Sequence, residues 1–179
     1  MKTSHKTYIA FNLFFVCALL ALSVQAQESD DVSMTTEYVR QGSAYYLKHD
    51  FKRAIPPYEQ ALKREKVKRQ LDQTIWTVLV DNLGMSYGIT GDLQKAKETF
   101  EYGISKDPDY PLFYYNMACT YGEMDEMDKA IEYLKLAFER KDKMIAGERF
   151  PNPATDSSFK RFLNNEKFQL ALKDLNKNE

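Results

Sequence analysis

Few residues in this chain have the types and spacing to do chemistry. Gly84, Gly88 and Gly91 run G-x-x-x-G-x-x-G toward Lys95 and Lys97, the composition of a loop that cradles a phosphate. Such a loop needs a strand before it and a helix opening directly after its last glycine. Here Leu79, Val80, Leu83 and Tyr87 precede and interleave the glycines at helical spacing, so the glycines fall within and at the end of a helix. A nucleophile–base pair would have to use His49 and Cys119. These are the histidine and cysteine that remain once an N-terminal export signal is set aside. His49 stands beside Asp50 at a turn, and Cys119 follows the small Ala118 in "NMACTYG", the setting of a small buried hydrophobe. One histidine and one cysteine cannot make a zinc site, and the acids of "EMDEMD", Glu123 to Asp128, read as a turn that caps the next helix. The basic run "KREKVKR", Lys63 to Arg69, reads as the solvated end of a helix, where cations oppose the negative pole of the dipole. Neither a catalytic residue nor a metal or cofactor site is expected.

The elements that must position these residues begin after a leader. Lys2, His5 and Lys6 precede the apolar run "YIAFNLFFVCALLAL", and Val24 and Ala26 occupy the small-residue positions before a cleavage point. This is the order of a secretory signal peptide, residues 1–26, cut after Ala26, which directs the protein to the periplasm or outside the cell. The alternative is an uncleaved inner-membrane anchor, which the short run broken by Asn12 argues against. Val16 before Cys17 is too bulky for a lipid-modified cysteine. Cleavage removes two basic residues and no acid, so the net charge of −1 becomes about −3, which excludes a nucleic-acid binder on charge. It also leaves Cys119 alone, so no internal disulfide staples the fold.

Beyond a linker at 27–34, three stretches align without gaps: 35–68, 77–110 and 111–144. The last two follow with a period of about 34 residues. The middle copy carries Val80, Leu83, Gly84, Tyr87, Ala96, Phe100 and Pro108. The third carries Tyr114, Met117, Ala118, Tyr121, Ala130, Leu134 and Ala137, and the first Tyr38, Gly42, Tyr45, Ala54, Tyr58 and Ala61. Each copy reads as two antiparallel helices with apolar stripes spaced three and four apart. The turn falls at His49-Asp50, Gly91-Asp92 and Asp125-Glu126. Gly84 and Ala96 mark a close approach of two backbones, so Gly84→Leu is expected to overpack it. Residues 69–76 are an insertion that adds about one turn to each flanking helix. Asp72 caps the second of these helices, and Ile75 and Trp76 form an added apolar layer. Pro56-Pro57 either delays the start of its helix to near Ile55 or kinks it. In 145–179, Pro151 and Pro153 make an extended connection and Asp156 caps a short helix with Phe159, Phe162 and Leu163. A final helix follows with Phe168, Leu170, Ala171, Leu172 and Leu175, and together they cap the array or form an arm for a partner.

On these residues the chain resembles tetratricopeptide-repeat proteins over about 35–144, most closely small exported bacterial members. The resemblance implies an all-α, right-handed superhelix of antiparallel helix pairs whose first helices line a concave groove. It also implies a non-catalytic module that binds a peptide or helix of a partner protein there. Carried over position by position, the groove residues are Arg40, Ser43, Tyr46, Asp81, Asn82, Met85, Tyr115, Asn116 and Cys119. The family's clamp for acidic C-terminal tails uses basic residues where this chain has Val39, Asp81 and Tyr115, so that specificity does not carry over. Asn82 and Asn116 share one repeat position. Their amides suit a peptide backbone or, alternatively, a bond within the scaffold. The competing functions are an architectural subunit of an envelope assembly, with buried outer helix faces, and an enzyme.

Overall fold

The structure, a computed structural model, describes residues 33–176, and the export signal lies outside the described residues. All regular structure there is helical. Helix α1 covers 33–46, and it is followed by α2 (Phe51–Val67), α3 (Gln73–Ile89), α4 (Leu93–Lys106), α5 (Pro111–Glu123) and α6 (Met127–Phe138). Short 3-10 helices at Lys141–Lys143 and Ser157–Phe162 precede α7 (Glu166–Asn176). Successive helices from α2 to α6 pack on one another, α3 also touches α5, the second 3-10 helix lies on α5, and α7 lies on α6. This is a helical-repeat solenoid.

The three interhelical turns are built alike. His49, Gly91 and Asp125 adopt the left-handed conformation, with φ of 57°, 90° and 64°. In each turn two amides fold back on the ending helix. Asp50, Asp92 and Glu126 donate to the carbonyls of Tyr45, Tyr87 and Tyr121, and the preceding residue donates to Tyr46, Gly88 or Gly122. That pairing satisfies carbonyls the helix leaves orphaned. The side chains of Asp50 and Asp92 then accept from the Arg53 and Lys95 amides and cap α2 and α4, whereas Glu126 makes no such bond.

Within the first two pairs, a glycine on the first helix faces a large ring on the second. A Cβ on Gly42 would sit 2.5 Å from the Tyr58 ring, and one on Gly84 2.5 Å from Phe100. Between pairs, Gly103 faces Phe113 in the same way, at 2.9 Å. The buried core runs through these contacts, with Trp76, Leu79, Val80, Met117 and Leu134 fully enclosed.

Helix α2 begins at Phe51 and runs through Pro56 and Pro57, so the delayed start near Ile55 does not occur. The prolines fall early enough that only the carbonyls of the first turn lose a helical donor. Of the insertion between the first two copies, 69–72 form the connection between α2 and α3 and 73–76 add one turn to α3, so the extra turn expected for α2 from these residues is not found. Helix α2 continues to Val67, and α3 starts at Gln73, where the Asp72 carboxylate accepts from the Ile75 amide at 3.0 Å. Trp76 enters the core, but Ile75 is exposed and adds nothing to that layer, contrary to the expectation for it. At the other end the Asp156 and Asn165 side chains start the last two helical pieces. Phe159, Phe162, Phe168, Ala171 and Leu175 are buried and close the last apolar face, while Leu170 points to solvent.

Candidate functional site

The residues expected to face a ligand lie on α1, α3 and α5. Arg40 is exposed and pairs with Glu37 at 2.6 Å. Ser43 accepts a hydrogen bond from the Tyr58 hydroxyl at 3.1 Å, and Tyr46 stands edge-on to Phe51 and Tyr58. Burial pushes the Tyr46 phenol well above its usual range, and the nearby Asp81 carboxylate adds to the shift. The two asparagine amides bond within the scaffold. Asn82 donates to the Tyr58 hydroxyl at 3.1 Å and Asn116 donates to Asp81 Oδ1 at 2.8 Å. Each amide thus ties its helix to the preceding repeat.

Asp81 is the electrostatically unusual member. Burial pushes its carboxyl up to about 7, against the lowering effect of the Asn116 hydrogen bond, and the charge of Glu148 contributes further. Glu148 is brought there by the segment after α6, where both its oxygens accept from the Tyr110 hydroxyl at 3.0 Å.

That same segment covers the groove face of α5. Tyr115 donates to Asp156 Oδ2 at 3.1 Å and stands edge-on to Phe150 and Phe159. Cys119 Sγ lies 3.7 Å from the same Asp156 oxygen. Burial, with the Asp156 charge next, raises the Cys119 thiol well above its ordinary value, which keeps it protonated and a poor nucleophile. Further along, a Cβ on Gly122 would fall 2.6 Å from the backbone oxygen of Ser158. A strap therefore runs alongside α5, from Glu148 at Tyr110 to the first turn of the second 3-10 helix at Gly122.

What stays open is the space between α3 and the strap, a groove of about 620 Å³. Gly88, Met85 and Ile89 line its α3 side, Asn116 and Cys119 its α5 side, and Asp156 its rim. A larger cleft of about 800 Å³ between the end of α6 and α7 involves none of the expected residues. His49 lies in the first turn with its ring against Phe51, while the Cys119 thiol is held by a carboxylate. Among the described residues no cluster of three His, Cys, Asp or Glu could hold a metal.

Sequence reasoning missed several members of this site. Tyr58 was read as core only, yet its hydroxyl joins Ser43 and Asn82. Glu148, Phe150, Asp156 and Gly122 carry no signal in a repeat alignment, because they matter only once the strap returns along α5. Gly122 aligned with Gly88 was the available hint.

Comparison with known families fits this geometry. Residues 80–110 match one tetratricopeptide-repeat model and residues 99–132 match a second, together spanning most of α3 to the middle of α6. No curated protein matches the chain.

Proposed function

This chain is a tetratricopeptide-repeat protein, a family of protein–protein interaction modules, and on that premise we propose that its open groove between α3 and the strap binds an extended segment of a partner. One observation supports the reading above all. The third repeat already holds a returning segment of polypeptide along its face, and the first turn of its 3-10 helix seats the Ser158 backbone oxygen on Gly122, while the equivalent Gly88 surface stands open. The same protein surface that packs one strand of chain can pack another. Mixed lining, with Met85 and Ile89 beside Asn116 and Asp156, suits a transient peptide contact more than a permanently buried face. The reading places the protein in the periplasm or outside the cell, on the strength of the leader at 1–26.

Gly88→Trp tests the groove directly, because a Cβ at Gly88 meets only the Ala96 Cβ, at 3.8 Å, and the ring would project into open space. Partners captured from native cells by the wild-type protein should be lost from the variant at unchanged melting temperature. Equal recovery by both proteins overturns the groove assignment. Mature protein should begin at Gln27 on N-terminal sequencing; a chain retaining Met1 in the inner membrane would replace export with anchoring.

A further inference from the structure

The groove over Gly88 has walls of one electrical sign. Glu123 and Asp156 stand at it, and no lysine or arginine lines it. Asp156 receives hydrogen bonds from the Ser158 amide, the Tyr115 hydroxyl and the Cys119 thiol, all uncharged donors. Glu123 meets one cation, Arg161, loosely at 3.7 Å. Between these acids the floor is apolar and shallow, made by Gly88 and Met85, with Ile89 53% exposed at its edge. Residues 27–32, Gln-Glu-Ser-Asp-Asp-Val, carry three acids and no base, and would be repelled.

Resting on the reading of this groove as the binding surface, we infer that it takes an extended partner segment carrying a lysine or arginine next to a small apolar residue. The cation lies between Glu123 and Asp156. The apolar residue lies against Met85 and Ile89, and a partner carbonyl sits over Gly88 as the Ser158 carbonyl sits over Gly122. A carboxylate in the same place would face two acids at short range, so the groove selects by repulsion as well as attraction.

The probe is a displayed library of random dodecapeptides, panned against the purified protein, with the best binder then synthesised and titrated. Enriched sequences should carry lysine or arginine above the input frequency, and binding should weaken as salt rises. Glu123→Gln should reduce affinity about threefold and Asp156→Asn about tenfold, since the second carboxylate is less exposed to solvent. Asp156 also starts a 3-10 helix, so Glu123→Gln, at an exposed site, is the variant that must keep its melting temperature and still lose affinity. Neutral or acidic binders that Gly88→Trp abolishes and Glu123→Gln leaves alone would overturn the charge preference while the groove stands. Binders indifferent to Gly88→Trp, or no binders at all, would overturn the groove itself.

Discussion

The junction between the first two repeats and the junction between the second and third join the same kinds of helix by different means. At the second junction the link is short and steric. Helix α4 ends at Lys106 with Asp107 as its cap, and Gly103 leaves room for the Phe113 ring, which would stand 2.9 Å from any Cβ placed there. The exposed linker is tied by its own backbone, with the Pro108 carbonyl accepting from Tyr114 and from Arg140, each at 2.9 Å. At the first junction Ala61 stands where Gly103 does, and the inserted turns need another fastening. Glu65 supplies it: buried, its Oε1 accepts from the Gln70 and Leu71 amides at 3.1 and 3.2 Å. Its Oε2 is buried without a hydrogen-bond partner among the described residues. Beside it, the Arg69 guanidinium stacks 4.5 Å over Trp76, whose edges meet Tyr102 and Phe113. A regular repeat can be joined by one missing Cβ, whereas an irregular one needs a buried carboxylate and a large aromatic. The two asparagines extend the contrast, since Asn82 crosses the first junction to a neutral phenol and Asn116 crosses the second to a carboxyl.

The largest effect should come from Trp76→Ala, which empties a fully enclosed site at the first junction and should cost about 3–5 kcal/mol in denaturant unfolding. A loss under about 1 kcal/mol would mean that the inserted layer does not hold the repeats together. Gly103→Leu probes the other junction by pushing a side chain into the Phe113 ring. Overpacking there should cost about 2–3 kcal/mol, and an unchanged midpoint would remove the steric half of the comparison. Glu65→Ala leaves two amides of the connecting turn without their acceptor but also removes the orphaned oxygen. A net loss of about 1–2 kcal/mol is expected, and a stabilised variant would show that the orphan outweighs both bonds.

The smallest effect depends on pH and should appear at the second junction alone. The native Asp81 carboxyl holds its proton up to about pH 7, whereas in the unfolded chain it loses it near 3.8. Between those values the unfolded state binds fewer protons, so native stability falls as pH rises. Asp81→Asn keeps an acceptor for Asn116 and cannot ionise. It should match the wild type at pH 4 and exceed it by about 1 kcal/mol at pH 8, read from melting curves at both. Parallel pH profiles would show that the carboxyl is not desolvated. Asn82→Ala, at the first junction, should leave the slope unchanged.

Most of the scaffold could be read from local sequence because its causes are local. A left-handed turn residue followed by a capping acid needs only neighbours, and so do apolar stripes spaced three and four apart. Only the second half of the insertion was readable as extra helix, with Asp72 marking the start of α3, whereas 69–72 form the connecting turn. Ile75 misled because its position on the helix, not its hydrophobicity, decided whether it faced inward. Glu65 was hidden inside a basic run whose average property is solvation, and its burial depends on the path of a turn several residues later. The groove was least legible. Its expected positions fall on α1, α3 and α5, but which of them stay open depends on where the strap returns, and no local signal encodes that.

Trp76 has one more consequence, an optical one. It is the chain's single tryptophan, so under selective excitation all indole light comes from one place, where the two junctions meet. Enclosed between the Arg69 guanidinium of the first junction and the Phe113 ring of the second, it should emit in the blue, and its colour should change when either junction opens. Because a solenoid can come apart one interface at a time, the protein carries its own lamp between its two joints. Any fraying that begins at the strap or α7 would pass in the dark.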